Sequence, residues 1–154
     1  MTAAHRRAAM AHCAVDIRRF EAPDTDAVVA LWEACDLTRP WNDPHKDIAR
    51  KVAVADDLFL VGTIDGTVVA TVMGGYDGHR GWVNYLAVAP ERRGDGLGRT
   101  LMEAVEVELR AVGCPKINLQ VRATNTEVLA FYEHLGYAVD AAVSLGKRLE
   151  SDDS

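Results

Sequence analysis

Cysteine is scarce in this chain: Cys13, Cys35 and Cys114 are the only three in 154 residues. The number is odd and the spacings are wide, with no C-x-x-C pair and no Cys/His cluster. That excludes a disulfide framework and a zinc-type ligand set, and it points to a reducing, cytoplasmic compartment with no metal. Basic charge is also in deficit, with 17 Lys and Arg against 23 Asp and Glu and a net charge of −6. A broad nucleic-acid surface needs a basic footprint, so no nucleic-acid partner is expected. No apolar run approaches the roughly 20 residues that a membrane crossing requires, so no membrane partner is expected either. Residues 1–14 hold His5, Arg6 and Arg7 among alanines but no continuous apolar stretch. They do not read as a secretory signal and are expected to be a disordered extension. Repeats and low-complexity segments are absent, and the length suits one domain, expected over residues 15–149 with an acidic tail at 150–154.

The most informative stretch runs from Asn84 to Met102. An apolar strand pattern ends at Val88 and Pro90 breaks it. A basic, glycine-rich turn follows, and from Leu97 the apolar residues recur at helical spacing through Leu101, Val105 and Leu109. Strand, glycine turn and helix start form a phosphate-holding arrangement. The first N–H groups of a helix lack internal partners, and the dipole there is positive. Glycine lets the backbone approach an anion closely. A nucleotide P-loop would need glycine at Arg93 and lysine at Arg99, and a dinucleotide fingerprint would need glycine at Arg99. Neither fits. The pattern that does fit is R-x-x-G-x-G, filled by Arg93, Gly96 and Gly98, with Arg92 and Gly94 as further matches.

Around this stretch the elements fall in a simple order. Val15, Ile17 and Phe20 suggest a strand. Pro23 to Asp26 signals a helix start, and Val28, Leu31, Trp32 and Cys35 share one helical face. The proline-bounded loop from Thr38 to Pro44 precedes a second helix over 47–55. Residues 58–64 and 67–73 flank Asp65-Gly66, a hairpin turn, and a third strand runs over 82–88. After the central helix, Gly113 and Pro115 stop it, and residues 116–121 alternate with period two. That strand should run parallel to 82–88, because a strand–helix–strand crossover links them. A helix capped by Asn125 or Thr124 follows, and 137–139 and 143–149 read as short closing strands.

Here the chain resembles the GNAT superfamily of N-acetyltransferases. The glycine turn matches the family's pyrophosphate-binding signature. A second block matches in Asn125, Ala130, Phe131, Tyr132, Glu133, Gly136 and Tyr137, with a shorter gap than some members have and tyrosine for the final phenylalanine. The loops around Trp41, Tyr76, Cys114 and Lys147 look like those of the YpeA-type bacterial acetyltransferases. The resemblance implies an α/β (α+β) fold, with a mixed, mostly antiparallel sheet of six to seven strands, helices on both faces and a splayed parallel strand pair. It implies acetyl-coenzyme A as cosubstrate, an amine acceptor (a small molecule or a protein amine), and a family in which homodimers are common. The residues it assigns to the cofactor are Leu86, Ala87 and Val88, the turn Arg93, Gly94, Asp95, Gly96, Leu97, Gly98 and Arg99, and Asn125 and Tyr132.

Acyl transfer to an amine needs the amine neutral, a donor for the oxyanion and an acid for the leaving thiolate. The Val88 N–H fits the second role. Tyr132 fits the third, or is a packed aromatic. Asn125 can touch the pantetheine or cap its helix. Many relatives carry a glutamate in the motif strand, where this chain has Asn84 and Tyr85. Candidate bases from the loops are Asp43, Asp77 and His79, and a water route would need none of them. Trp41, Tyr76 and Tyr85 are expected beside the acceptor. The missing strand carboxylate supports an alternative: a coenzyme A-binding sensor or interaction module without transfer activity.

Overall fold

The computed structural model describes residues 15–153. The expectation for residues 1–14, and Cys13 with it, lies outside the described residues. The elements in chain order are β1 (Asp16–Arg19), α1 (Thr25–Ala34), α2 (Pro44–Val54), β2 (Phe59–Ile64), β3 (Thr67–Tyr76), β4 (Gly81–Val88), α3 (Leu97–Ala111), β5 (Ile117–Leu119) and α4 (Thr126–His134). The strands form one sheet in the order β1-β2-β3-β4-β5. The first three pairings are antiparallel, and β4–β5 is parallel, as the crossover requires.

Strand side chains alternate between faces, and this builds two cores from one sheet. On one face Phe59, Val61, Val69 and Met73 meet Val28, Leu31 and Trp32 of α1 and Ile48 of α2. On the other, Leu60, Ala70, Val72 and Val83 meet Leu101, Met102, Val105 and Leu109 of α3 and Tyr132 of α4. All six residues of β2 are buried, because helices cover the sheet on both sides there. The entry to α1 is held by Asp24, which takes a bidentate contact from Arg18 at 2.8 Å and the Glu21 N–H at 2.8 Å. The Arg18 guanidinium holds the Asp24 carboxyl below its ordinary value.

One residue bends the sheet. Tyr85 sits in β4 with φ +50°, a left-handed conformation that a tyrosine adopts at a cost. The β3–β4 register shifts there, between Thr71 and Met73, so β4 carries an extra residue as a bulge. Three contacts hold the strained residue. Its ring stacks on Trp32 with centroids 3.7 Å apart. Its carbonyl accepts a bond from the Thr71 hydroxyl at 2.8 Å, and that hydroxyl in turn accepts the Trp32 Nε1–H at 3.0 Å. Its own hydroxyl donates to Asp47 at 2.6 Å.

Three expectations are corrected. Among the described residues the sheet has five strands rather than six or seven. The fifth covers Ile117–Leu119 rather than 116–121, because β4 bends away at Tyr85 and leaves Gln120 and Val121 unpaired. The closing strands at 137–139 and 143–149 do not form. The shortened β5 offers them no matching edge, and the segment is tied down by side chains instead of a ladder. Asp140 pairs with Lys116 at 3.0 Å, Ser144 bonds Gln120, and Arg148 reaches Asn42 across the molecule.

Trp32→Phe removes the indole donor and shrinks the stacking partner of Tyr85, and should cost about 1–3 kcal/mol in urea unfolding. A loss under about 0.5 kcal/mol would mean that the bulge is held by other groups. Asp24→Asn should destabilise at neutral pH. Because the folded Asp24 pKa is depressed, that difference should shrink as pH falls below about 4, where the unfolded carboxylate takes up a proton.

Candidate active site

The parallel pairing of β4 with β5 spans only Gly81–Val83 against Ile117–Leu119. From Asn84 onward the same edge of β4 is open. Its polarity follows from the register. The Ala89 N–H donates to Val69 at 2.8 Å, which makes that pair the hydrogen-bonded kind. Ala70 and Val88, one step back, are then the non-bonded kind, so the Val88 N–H and C=O point away from β3. By the same alternation Leu86 points its backbone groups to the open edge, while Ala87 pairs with Thr71. The Val88 carbonyl accepts the Cys35 thiol at 3.2 Å.

Beyond β4, a 3-10 turn over Pro90–Arg92 leads into residues 93–96. The Arg93 and Asp95 N–H groups donate within the turn, at 3.4 and 3.3 Å. Gly96 caps α3 with φ +77°, and no side chain caps the helix. The first N–H bonded back into the helix is that of Thr100, to Gly96 at 3.1 Å. The N–H groups of Leu97, Gly98 and Arg99 therefore have no intrahelical acceptor and sit at the positive end of a 15-residue helix. Space around Gly96 is open: an added β-carbon would meet nothing within 4 Å. Gly98 serves packing. A β-carbon there would lie 3.1 Å from the Phe131 ring and 3.9 Å from Val88. Through this contact β4, the start of α3 and α4 meet at one point.

On α4, Asn125 caps the helix by accepting the Val128 N–H at 3.3 Å. Tyr132 is buried among Phe131 and Tyr137, whose rings meet it edge-on at 5.1 and 5.6 Å. Burial pushes its phenol up to about 12, so it stays protonated at neutral pH. Among the described residues its hydroxyl has no hydrogen-bond partner, yet its oxygen is not sealed from solvent. Tyr132 also borders a cleft of about 1100 Å³ along β5, with Glu106, Tyr137 and Ser144 among its walls. Glu106 accepts the Tyr137 hydroxyl at 2.7 Å, and burial, with that bond behind it, raises the Tyr137 pKa.

The remaining candidates divide into two groups. Asp43 and Tyr85 are joined through α2: Asp43 caps that helix by accepting the His45 N–H at 2.9 Å, and Asp47 on it accepts the Tyr85 hydroxyl. Trp41 stands exposed on the preceding loop. Tyr76, Asp77 and His79 lie at the β3–β4 hairpin, the end of β4 away from Val88 and about 20 Å from it along an eight-residue strand. Asp77 accepts the His79 and Arg80 N–H groups at 2.8 Å each, which lowers its pKa and makes it a turn cap. Sequence reading missed Asp47, Arg50 and Asp152. The i,i+3 spacing of Asp47 and Arg50 on a helix was the one signal available, and nothing local marks Asp152.

Comparison with known proteins gives a consistent result. The model of the acetyltransferase (GNAT) family matches residues 25–137. An acetyltransferase of Pectobacterium atrosepticum is 51% identical over 138 residues, covering 90% of this chain and 98% of that protein. Ard1 from Thermoplasma volcanium superposes with a TM-score of 0.71 at 24% identity, covering 83% of this chain and 85% of that one. Glucosamine-6-phosphate N-acetyltransferase from Arabidopsis thaliana gives 0.65 at 22%, covering 88% and 99%. Both structures share the fold.

Gly98→Leu places a branched side chain against Phe131 and should lower stability by about 1–3 kcal/mol. Gly98→Ala should be milder. Equal melting temperatures for Gly98→Leu and the parent would show that α4 does not rest on this glycine.

Proposed function

The chain belongs to the acetyltransferase (GNAT) family, and from that premise we propose that it moves the acetyl group of acetyl-coenzyme A to a primary amine by direct attack. The observation that carries this reading is the pairing of an open β4 edge with an uncapped helix start. Two kinds of acceptor group on the cosubstrate, amide carbonyls and phosphate oxygens, match the two rows of donors. The Leu86 backbone would hold a pantetheine amide, and the Val88 N–H the acetyl carbonyl. The N–H groups of Gly96, Leu97, Gly98 and Arg99, with the Arg93 guanidinium, would hold the pyrophosphate. Acetyl-coenzyme A supplies an activated acyl group in its thioester.

The Val88 N–H is a fixed donor on the open edge, suited to a developing oxyanion. Tyr132 keeps its proton through the neutral range, so it can donate to the departing sulfur. No carboxylate of β4 faces the same space, since Asn84 and Tyr85 stand in the motif strand. The amine proton therefore leaves through solvent or through a group on the acceptor side.

Tyr132→Phe should slow turnover about 100-fold, within the usual range for a lost general acid, with acetyl-coenzyme A affinity within about twofold of the parent. Unchanged turnover would remove Tyr132 from the reaction. Since its pKa is raised, turnover should show no alkaline limb from Tyr132 below about pH 10. A limb near pH 8.5 that vanishes in Tyr132→Phe would contradict this assignment. Gly96→Glu puts a side chain at positive φ and a carboxylate among the anion donors. Calorimetric titration should show acetyl-coenzyme A binding weakened at least about 100-fold. Binding with no acetylated product from any amine would favour the sensor reading instead.

A further inference from the structure

In a chain with six more acids than bases, three cations gather along the first two turns of α2. Arg50 lies on that helix, Lys46 one turn earlier, and Arg148 arrives from the C-terminal segment. At their centre is a carboxylate from far along the chain. Asp152 accepts the Arg50 guanidinium at 2.6 Å and the Asp43 N–H, at the start of α2, at 2.8 Å. Arg148 stands 3.8 Å from it, and Lys46 donates to the Asp152 carbonyl at 2.9 Å. The Asp152 side chain is 2% exposed, although Arg50 and Arg148 are each about half exposed. The two arginines and the helix start thus form a socket, open to solvent except where the carboxylate fills it. These partners hold the Asp152 carboxyl at about 2, so it is ionised whenever the protein is folded near neutrality.

The socket is wired to β4 by short polar contacts. Arg50 also meets Asp47 at 3.3 Å, and Asp47 accepts the Tyr85 hydroxyl at 2.6 Å. Tyr85 is the bulge residue whose successors Leu86 and Val88 face the open edge of β4. To reach the socket, the chain runs from Ser144 beside Gln120, past Arg148 at Asn42, to Asp152 on α2. It therefore bridges from the β5 side to the α1–α2 loop.

We propose that Arg50, Arg148 and the Asp43 N–H form a carboxylate-binding subsite for the amine acceptor, and that Asp152 occupies it as an internal carboxylate which the acceptor displaces. The inference rests on the acetyl-transfer reading and narrows it: the acceptor is an amine that also carries a carboxylate. A guanidinium fork and a helix-start N–H are the geometry that reads a carboxylate. A tethered occupant competes at an effective concentration of about millimolar, so it lowers apparent affinity by the fraction of time it is docked. A tail docked about nine-tenths of the time would weaken an external carboxylate about tenfold.

Glutarate, which has carboxylates but no amine to acetylate, separates the subsite from the reaction. Calorimetric titration of the full chain should find glutarate bound about tenfold more tightly by Asp152→Asn than by the parent. Arg50→Gln in the Asp152→Asn background should lose it. Deleting residues 150–154 should give the same gain as Asp152→Asn, and melting curves will show that each variant is folded. In coenzyme A release assays, 6-aminohexanoate should be preferred over hexylamine, and Arg50→Gln should erase the preference without changing the KM for acetyl-coenzyme A. Equal glutarate affinity in the parent and both tail variants would overturn the proposal. So would inorganic phosphate binding more tightly than glutarate, or a carboxylate preference that survives Arg50→Gln. Glutarate behaving as expected, with neither amine acetylated, would leave the subsite standing and count against acetyl transfer alone.

Discussion

The stack of Tyr85 on Trp32 is the contact on which the rest depends. A tyrosine at positive φ persists only where its surroundings over-determine it. Here an indole at 3.7 Å, a threonine hydroxyl and an aspartate all grip the same residue. The bulge they maintain turns β4 off the line of β5 after three paired residues. A straight β4 would continue the ladder, and its N–H and C=O groups would be consumed by β5. Bent, it leaves the Leu86 backbone groups and the Val88 N–H outside the ladder, while the Val88 carbonyl takes the Cys35 thiol. Strain at one residue is thus converted into a strand edge that the β5 ladder does not consume.

The second constraint is the packing of α4 on the start of α3. Gly98 lets the Phe131 ring approach the helix start closely, and Tyr132 follows as the next residue. The glycines of the turn therefore divide their work. Gly96 provides the left-handed cap that aims the N–H groups outward, while Gly98 provides room for a neighbouring helix. A motif that reads in sequence as one anion-binding unit is, physically, half conformation and half packing.

The junction of α2 with the C-terminal segment is built differently, from charge rather than from backbone. The Arg50–Asp152 ion pair at 2.6 Å links α2 to the C-terminal segment, and Asp47, 3.3 Å from Arg50 on the same helix, braces the guanidinium. The apolar residues of that segment, Val139, Val143, Leu145 and Leu149, stay exposed, so polar anchors and not burial hold its course. Such anchoring is weaker per residue than a sheet ladder in a core. It would suit a segment that yields its place to a ligand, as proposed above.

Local pattern alone determined the strand–turn–helix unit, because glycine, proline and helical spacing act over a few residues. The hairpin at Asp65-Gly66, the Asn125 cap and the parallel crossover were legible for the same reason. Residues 143–149 show the limit: alternation predicted a strand, but a strand forms only where a neighbour offers a matching edge, and the bend in β4 had already shortened β5. At Tyr85 the sequence shows only an aromatic in a strand; its conformation depends on Trp32, 53 positions earlier, and on Asp47. Asp152 read as tail charge; its burial against Arg50 spans 102 residues. The sequence by itself determined which backbone groups would be left without helical partners, since that follows from where a helix begins. Only the tertiary structure decided which strand edge stays open and which carboxylate fills the arginine socket, because both depend on contacts between residues that no local spacing relates.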